Sequence, residues 1–309
     1  MPQQPENTTA PRLGIGVIGA GRVGAVLGAA LRAEGHAITG VYAVSDASRE
    51  RAEELLPGVP RLDVPQIVER SEMLLLAVPD DQLPDLVRGI AAAGFSPGGQ
   101  LVAHTSGRFG VEVLAPLEQA GAVAVALHPA MTFSGTARDL SRLVGCPWAL
   151  TARGHYLAIA QALVVELGGT PVTVPEGDRG LYHAALAHGA NHLVVLVEQS
   201  REILDRIGID SPGDFLRPLL QAALDGALQH GTRALTGPVM RGDAGTVAAH
   251  LEALEDLDAT GGPGHAGDLS AVYRALARAA VARADLDPTT TTHLLAVLAT
   301  DPPPSQELS

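Results

Sequence analysis

Lysine is missing from this 309-residue chain: all 21 basic residues are arginine, set against 34 acidic side chains for a formal net charge of −13. No lysine is therefore present to deliver a proton or form a Schiff base. Arginine stays protonated far above neutrality, so it clamps carboxylates and phosphates but donates protons poorly. The acidic balance disfavours binding to nucleic acid or an anionic membrane through a general electrostatic field. A single cysteine, Cys146, excludes an internal disulfide and a thiolate metal cluster and reads as a buried filler in a reducing compartment. Aromatic residues make up only 3% of the chain. Apolar runs stay short of the roughly 18 residues a membrane span needs. The start, MPQQPENTTAPR, lacks the basic and apolar regions of a secretion signal. The expectation is a cytoplasmic protein with a small-molecule partner, no nucleic acid and no membrane. Residues 1–11 and 301–309, proline-rich and polar, are expected to be disordered ends.

What the chain has in quantity is glycine, and its placement is informative. In Gly14-Ile-Gly-Val-Ile-Gly-Ala-Gly-Arg-Val-Gly24 an apolar run feeds into Gly19-x-Gly21-x-x-Gly24 and then into an alanine-rich helix, 25–34. A second strand, 38–44, completes a βαβ unit. Gly19 suits a tight turn, Gly21 lets backbone approach a pyrophosphate, and Gly24 lets the helix pack on the strand, with the helix amides of Arg22 and Val23 facing the anion. This reads as a dinucleotide-binding turn.

Further apolar runs at 73–78, 100–104, 122–127, 146–151 and 170–174 alternate with helical or loop segments, which predicts a doubly wound, mostly parallel α/β sheet over 12–175. Runs such as Met73-Leu-Leu-Leu-Ala-Val78 do not alternate with polar residues, as expected of strands covered on both faces. From 176 to 300 the pattern is helical only. Residues 178–207 contain no proline, carry apolar side chains on nearly every face and would span about 45 Å, which predicts a buried central helix. Helices are also expected at 212–230, 243–257, 267–284 and 287–299. Their apolar surplus suggests a homodimer through the helical domain, with a folded-back monomer core as the alternative.

Ligands of open α/β sheets sit at the carboxyl ends of the strands, and polar residues cluster there. Val78-Pro79-Asp80 and His104 are assigned to cofactor contact, and Ser106 to substrate. At the end of the second strand, Ser45 precedes Asp46, with Arg49 and Arg51 nearby; Ser45 and Arg49 suit a 2′-phosphate, which favours NADP over NAD. Hydride transfer to a carbonyl or imine also needs a proton source and donors for developing charge. His128, at a strand end, and His183, on the long helix, could approach one cleft, with Asn191 holding the substrate oxygen and His188 beside it. Histidine exchanges protons near neutrality. Arg241, before the expected helix cap Asp243, could clamp a substrate carboxylate. A metal at His188 and His192 would need a third ligand that has no sequence signal, so no metal is expected.

Together Gly19-Ala-Gly-Arg-Val-Gly24, Ala77-Val-Pro-Asp-Asp81, His104-Thr-Ser-Gly107, His128-Pro129, Thr132-Phe133, Tyr182-His-Ala-Ala185, Asn191-His-Leu193, Thr236-Gly-Pro238 and Arg241-Gly-Asp243 carry a resemblance. Over residues 12–300 the chain resembles bacterial Rossmann-like oxidoreductases with a C-terminal domain of unknown function. These are distantly similar to ketopantoate reductase, pyrroline-5-carboxylate reductase and the 6-phosphogluconate and β-hydroxyacid dehydrogenases. The resemblance implies a Rossmann sheet, an all-α, often dimerising second domain of the 6-phosphogluconate dehydrogenase kind, and an NADP-type reductase. In the β-hydroxyacid dehydrogenases the corresponding helix carries a lysine four residues before an asparagine; Asn191 matches the asparagine, but the lysine position is Ala187. The leading expectation is NADP-dependent reduction of a small 2-oxo acid or imino acid, with ketopantoate-like substrates first. The alternative is a non-catalytic NAD(P)-binding regulatory protein.

Overall fold

A computed structural model describes residues 12–94, 98–261 and 266–299. The expected disordered ends lie outside these residues. The first part of the chain runs β1 (Gly14–Ile18), α1 (Arg22–Ala33), β2 (Ala37–Tyr42), α2 (Asp46–Leu55), α3 (Val64–Arg70), β3 (Met73–Leu76), α4 (Leu83–Ala92) and β4 (Leu101–His104). It continues with α5 (Ala115–Gln119), β5 (Val123–Pro129), α6 (Arg138–Leu143), β6 (Pro147–Ala152), α7 (Tyr156–Glu166) and β7 (Thr170–Thr173). The strands form one seven-stranded sheet in the order β2-β1-β3-β4-β5-β6-β7. Every pairing is parallel except β5 with β6, which is antiparallel. β1 pairs with β2 on one side and β3 on the other, so the chain reverses its direction of winding at β1, and a crevice opens between the loops that follow β1 and β3.

Both faces of the sheet are covered. Ile15, Val17, Met73, Leu75, Ala103, Val125 and Leu127 share one core with α1 and α7; Leu74, Leu76, Val102, Ala124 and Ala126 share another with α3, α4 and α5. That two-sided burial is why Met73-Leu-Leu-Leu76 shows no polar alternation. Gly16 fits the same packing: a Cβ there would lie 2.2 Å from an Ile67 methyl group, so α3 sits directly on β1. α3 itself is fixed at its start by a capping box between Asp63 and Gln66.

The second part runs α8 (Arg179–Arg206), α9 (Pro212–His230), α10 (Ala244–Thr260), α11 (Leu269–Val281) and α12 (Pro288–Ala299). The chain divides between His192 and Leu193, inside α8, into two compact units. The physical reason is that the first turn of α8 is bonded into the sheet, as described below. In the second unit α10, α11 and α12 pack around Val247, Leu251, Ala277, Val281, Leu294 and Leu298. Asp243 caps α10 as expected, its carboxylate accepting from the backbone and hydroxyl of Thr246.

The expected buried central helix is corrected. Of the 28 residues of α8 only Arg179 and Gln199 are buried, while Leu181 is 76% exposed and Val194 and Val195 are also open. Apolar residues on every face do call for burial, but this chain's own elements do not supply it. The same holds for α9, in which Leu216 alone is buried and Phe215, Leu219 and Leu228 stand exposed. No helix among the described residues is long and apolar enough to cross a membrane.

Candidate active site

The glycine turn shows three separate steric requirements. Gly19 has a φ of +101°, and a Cβ there would meet the Ala77 carbonyl oxygen at 2.5 Å. A Cβ on Gly24 would sit 1.9 Å from the Gly19 carbonyl oxygen and 2.8 Å from the Ala77 methyl group. Gly21, by contrast, faces open space, with nothing within 4 Å of an added Cβ. The first and last glycines are therefore demanded by the fold, and the middle one by whatever approaches from outside. α1 starts at Arg22 with no side-chain cap and no acidic residue in its first turn, which leaves its amides free for an anion. A dinucleotide fits this cradle. Val78 and Pro79 follow β3 beside it, with a Val78 methyl group 3.1 Å from the Gly19 Cβ position.

At the end of β2 the expected phosphate ligands make local contacts. Ser45 caps α2 by accepting from the Ser48 amide, and Arg49 pairs with Asp46 at 3.0 Å. Both contacts are on exposed side chains. Arg22 and Arg51 lie close by. Both pack against Gly135, 2.9 and 3.0 Å from a Cβ built there, and neither makes a hydrogen bond or ion pair to the described residues. Gly135 is held in place by its amide donating to the buried carboxylate of Asp139. Burial raises the Asp139 pKa, but hydrogen bonds from Gly135, Ser134 and Arg142 outweigh this and hold the carboxyl below its ordinary value.

A second cluster gathers at the carboxyl ends of β4 and β5. His104 is fully buried; its Nε2 bonds the Gly110 carbonyl at 2.7 Å and its Nδ1 accepts from the Ser106 amide at 3.2 Å. Both ring nitrogens are used, so His104 pins the loop after β4 and is corrected as a cofactor ligand. Burial above all, then Arg179, bring its pKa down to about 4. Ser106 is also buried, and its Oγ accepts from the amides of Arg108 and Phe109.

That loop brings Gly107 under two imidazoles. A Cβ at Gly107 would lie 2.9 Å from His128 Nε2 and 2.9 Å from His183 Cδ2. The two histidines that the sequence selected thus converge over one glycine. His128 Nδ1 lies 2.8 Å from the Tyr182 hydroxyl, the rings meeting edge to face at 5.6 Å. Burial first, then Arg179, then His183 lower the His128 pKa to about 4, so the ring is neutral at pH 7. Tyr182 shifts upward, chiefly by burial.

Arg179, Tyr182 and His183 stand at positions i, i+3 and i+4 of α8 and therefore share a face. Arg179 is 1% exposed; its Nε donates to Thr151 Oγ1 at 2.8 Å and its Nη2 to the Ala149 carbonyl at 3.1 Å. These bonds tie the first turn of α8 to the antiparallel pair β5 and β6. Sequence reasoning missed Arg179 altogether and took Tyr182 only as part of a matching motif. The available signal was their spacing from His183.

The other expected residues do not join this cluster. His188 is exposed and bonded to His192, Nδ1 to Nδ1 at 2.9 Å, and Asn191 is exposed. Arg241 is exposed in a short turn of the second unit. A cavity of about 1020 Å³ in the first unit lies away from the cluster. Leu13, Glu72, Gln100 and Val123 line it, all at the amino ends of strands, opposite the end where the glycine turn opens. Among the described residues no group of three or more His, Cys, Asp or Glu side chains is arranged to hold a metal ion.

The sheet order, the glycine cradle and the crevice define the class: residues 1–129 match the family of Rossmann-like domains. More particularly, residues 146–280 match the Domain of unknown function (DUF2520), so the chain is a Rossmann-like domain joined to a DUF2520 domain. No curated protein sequence matches it. Among solved structures it is similar to a Bacteroides fragilis protein with a provisional designation as an NADP oxidoreductase: TM-score 0.70, 21% identity, 87% of this chain and 98% of that one covered. A Thermotoga maritima protein gives a TM-score of 0.62 at 20% identity, covering 88% and 98%. A reductive aminase from Aspergillus terreus, solved with NADPH and ethyl-5-oxohexanoate, gives 0.61 at 17% identity, covering 93% and 99%. At these identities the likeness is one of fold.

Proposed function

We propose that the protein is a cytoplasmic NADP(H)-dependent reductase of a small 2-oxo acid or imino acid, with ketopantoate-like compounds the first to try. The observation that carries this reading is the meeting of His128 and His183 over Gly107, after a strand adjacent in the sheet to the one whose Ala77 abuts the glycine turn. NADPH, when bound, supplies the hydride to the substrate carbon. Arg22 and Arg51, unpaired beside Gly135, favour a cofactor bearing a 2′-phosphate. The Aspergillus terreus structure, which holds NADPH, supports the same choice.

In this reading the Tyr182 hydroxyl donates to His128 Nδ1 and leaves the ring proton on Nε2, directed over Gly107. As the carbonyl bond breaks, its electron pair moves to oxygen, and the Nε2 proton passes to that oxygen. Nδ1 takes the Tyr182 proton at the same time. Tyr182 is half-buried and recovers its proton from solvent. The relay replaces the missing lysine with two groups, each neutral at rest. General acid catalysis of this kind is worth about 10²–10⁴-fold. His183 lies against the same glycine and orients the substrate oxygen.

The test follows NADPH and NADH consumption against 2-oxo acids and cyclic imines, with wild type beside His128→Ala and His183→Ala. Turnover with NADPH that His128→Ala abolishes supports the reading. Tight dinucleotide binding with no turnover on any substrate would leave the regulatory alternative.

The exposed apolar faces of α8 and α9 further support a homodimer. Leu193, Leu196, Leu220 and Leu224 line a groove of about 830 Å³ between these helices in the second unit. A helix of 19 residues with one buried side chain gains too little from its own chain to persist in water. A second copy is always present in proportion, and a two-fold axis would let α8 and α9 of each copy cover those of the other.

A further inference from the structure

Arg179 is a buried cation that the proton relay does not use. Its guanidinium is held only by neutral oxygens, Thr151 Oγ1 at 2.8 Å, the Ala149 carbonyl at 3.1 Å and the Ala126 carbonyl at 3.5 Å. Thr151 is locked to serve it, because its hydroxyl proton goes to the Val174 carbonyl at 2.6 Å and leaves lone pairs for Arg179 Nε. Nη1 has no hydrogen-bond partner among the described residues. No carboxylate forms an ion pair with Arg179 among the described residues. An uncompensated buried charge is expensive, so its retention at one place calls for a reason. That place is the cleft: the guanidinium carbon lies 5.9 Å from the centre of the Tyr182 ring, whose hydroxyl holds His128.

We propose that Arg179 is the fixed positive charge of the His128 and Tyr182 cleft, and that it restricts the substrate to a neutral or anionic carbonyl compound, excluding the cationic iminium form of an imine. This rests on the reductase reading and narrows it. Hydride addition to a carbonyl moves negative charge onto oxygen, which a nearby cation favours. An iminium already carries positive charge, so bringing it beside a desolvated guanidinium is opposed by the same field.

The surrounding charges do not cancel this. Asp80, after β3, is the one carboxylate acting on His128, and its effect is smaller than that of Arg179 or His183. Glu176, tied by its carboxylate to the amides of Val111 and Glu112, favours the charged form of Arg179, but burial outweighs it. His104, on the neighbouring strand, is itself shifted so that it stays uncharged at pH 7. Arg179 also acts against protonation of His128, which keeps that ring a hydrogen-bond donor and not a second cation.

The experiment compares a 2-oxo acid, a neutral cyclic ketone and an N-methylated cyclic iminium of the same ring size, with NADPH in excess. The expected wild-type kcat/KM for the better carbonyl compound exceeds that for the iminium by roughly tenfold or more. Arg179→Gln, which keeps a donor for Thr151, is expected to narrow that ratio, and Arg179→Lys to preserve it. Wild type reducing the iminium as well as the carbonyl compounds overturns the proposal, and that comparison needs no variant to fold. If nothing is turned over, the reductase reading fails on its own. The charge is then read by NMR titration of the His128 ring, expected to move upward by about one pH unit in Arg179→Gln. An unchanged titration in the folded variant overturns the proposal.

Discussion

The Tyr182 hydroxyl lies 2.8 Å from Nδ1 of His128, a residue 54 positions earlier in the chain. One side chain comes from a helix and the other from a strand end, and neither nitrogen nor hydroxyl would hold that geometry alone. Removing the hydroxyl leaves the imidazole free to place its proton on either nitrogen. Tyr182→Phe is therefore expected to lower kcat roughly 10- to 100-fold with little change in KM. Steady-state kinetics check this, and a change confined to KM would assign Tyr182 to substrate binding instead.

The glycine turn predicts opposite outcomes at neighbouring positions. Gly24→Ala places a methyl group 1.9 Å from a backbone oxygen, which cannot be relieved by a rotamer change, so the variant should lose the fold or several kcal/mol of stability, on the order of an overpacked core. Gly21→Ala meets nothing within 4 Å. Its melting temperature should stay near wild type while dinucleotide affinity falls. Calorimetric melting beside cofactor titration separates the two effects, and normal cofactor affinity in Gly21→Ala would remove the diphosphate from that turn.

Arg51 makes no bond to the described residues and packs on Gly135 with Arg22. A charge-assisted bond to a phosphate is worth roughly 1.5–3 kcal/mol. Arg51→Ala should thus weaken NADPH binding about 10- to 100-fold and leave NADH nearly unchanged. Equal losses for both cofactors would place Arg51 outside the 2′-phosphate site.

Acid should destabilise the fold in a defined window. The pKa of His104 falls from 6.5 to about 4 on folding, mainly because the buried ring resists charge. Between those values the unfolded chain binds more protons than the native one, so stability drops as pH falls from 6.5 toward 4. The group contributes roughly 3 kcal/mol of that loss, and His128 acts in the same direction. The depressed carboxyls of Asp139, Asp243 and Asp287 act lower, as pH falls below their ordinary 3.8. Urea midpoints at pH 7 and pH 4.5 measure the histidine contribution, and an unchanged midpoint would contradict the lowered pKa values of both rings.

The apolar surface of α8 and α9 gives a last prediction. Leu228, 78% exposed, and Phe215, 61% exposed, should lie in the interface between two copies. Replacing both with glutamate should yield a monomer in analytical ultracentrifugation, whereas a wild type that is already monomeric would refute the interface.

Local pattern and backbone sterics were enough to announce the sheet, the glycine turn and the helical second half. Those features repeat at fixed short spacings, strand by strand, and strand ends are where polar residues must gather. What only the tertiary structure decided depends on pairs far apart in sequence. It showed that His104 has both nitrogens occupied and that Ser45 caps α2 while Arg49 pairs with Asp46. It also left Arg51 free, and buried Arg179 against strands β5 and β6. It left α8 exposed where its composition asked for burial, since composition records that a face needs covering but not which chain covers it. Whether a polar atom is available to a ligand is set by which neighbours reach it first, and that is a property of the folded arrangement.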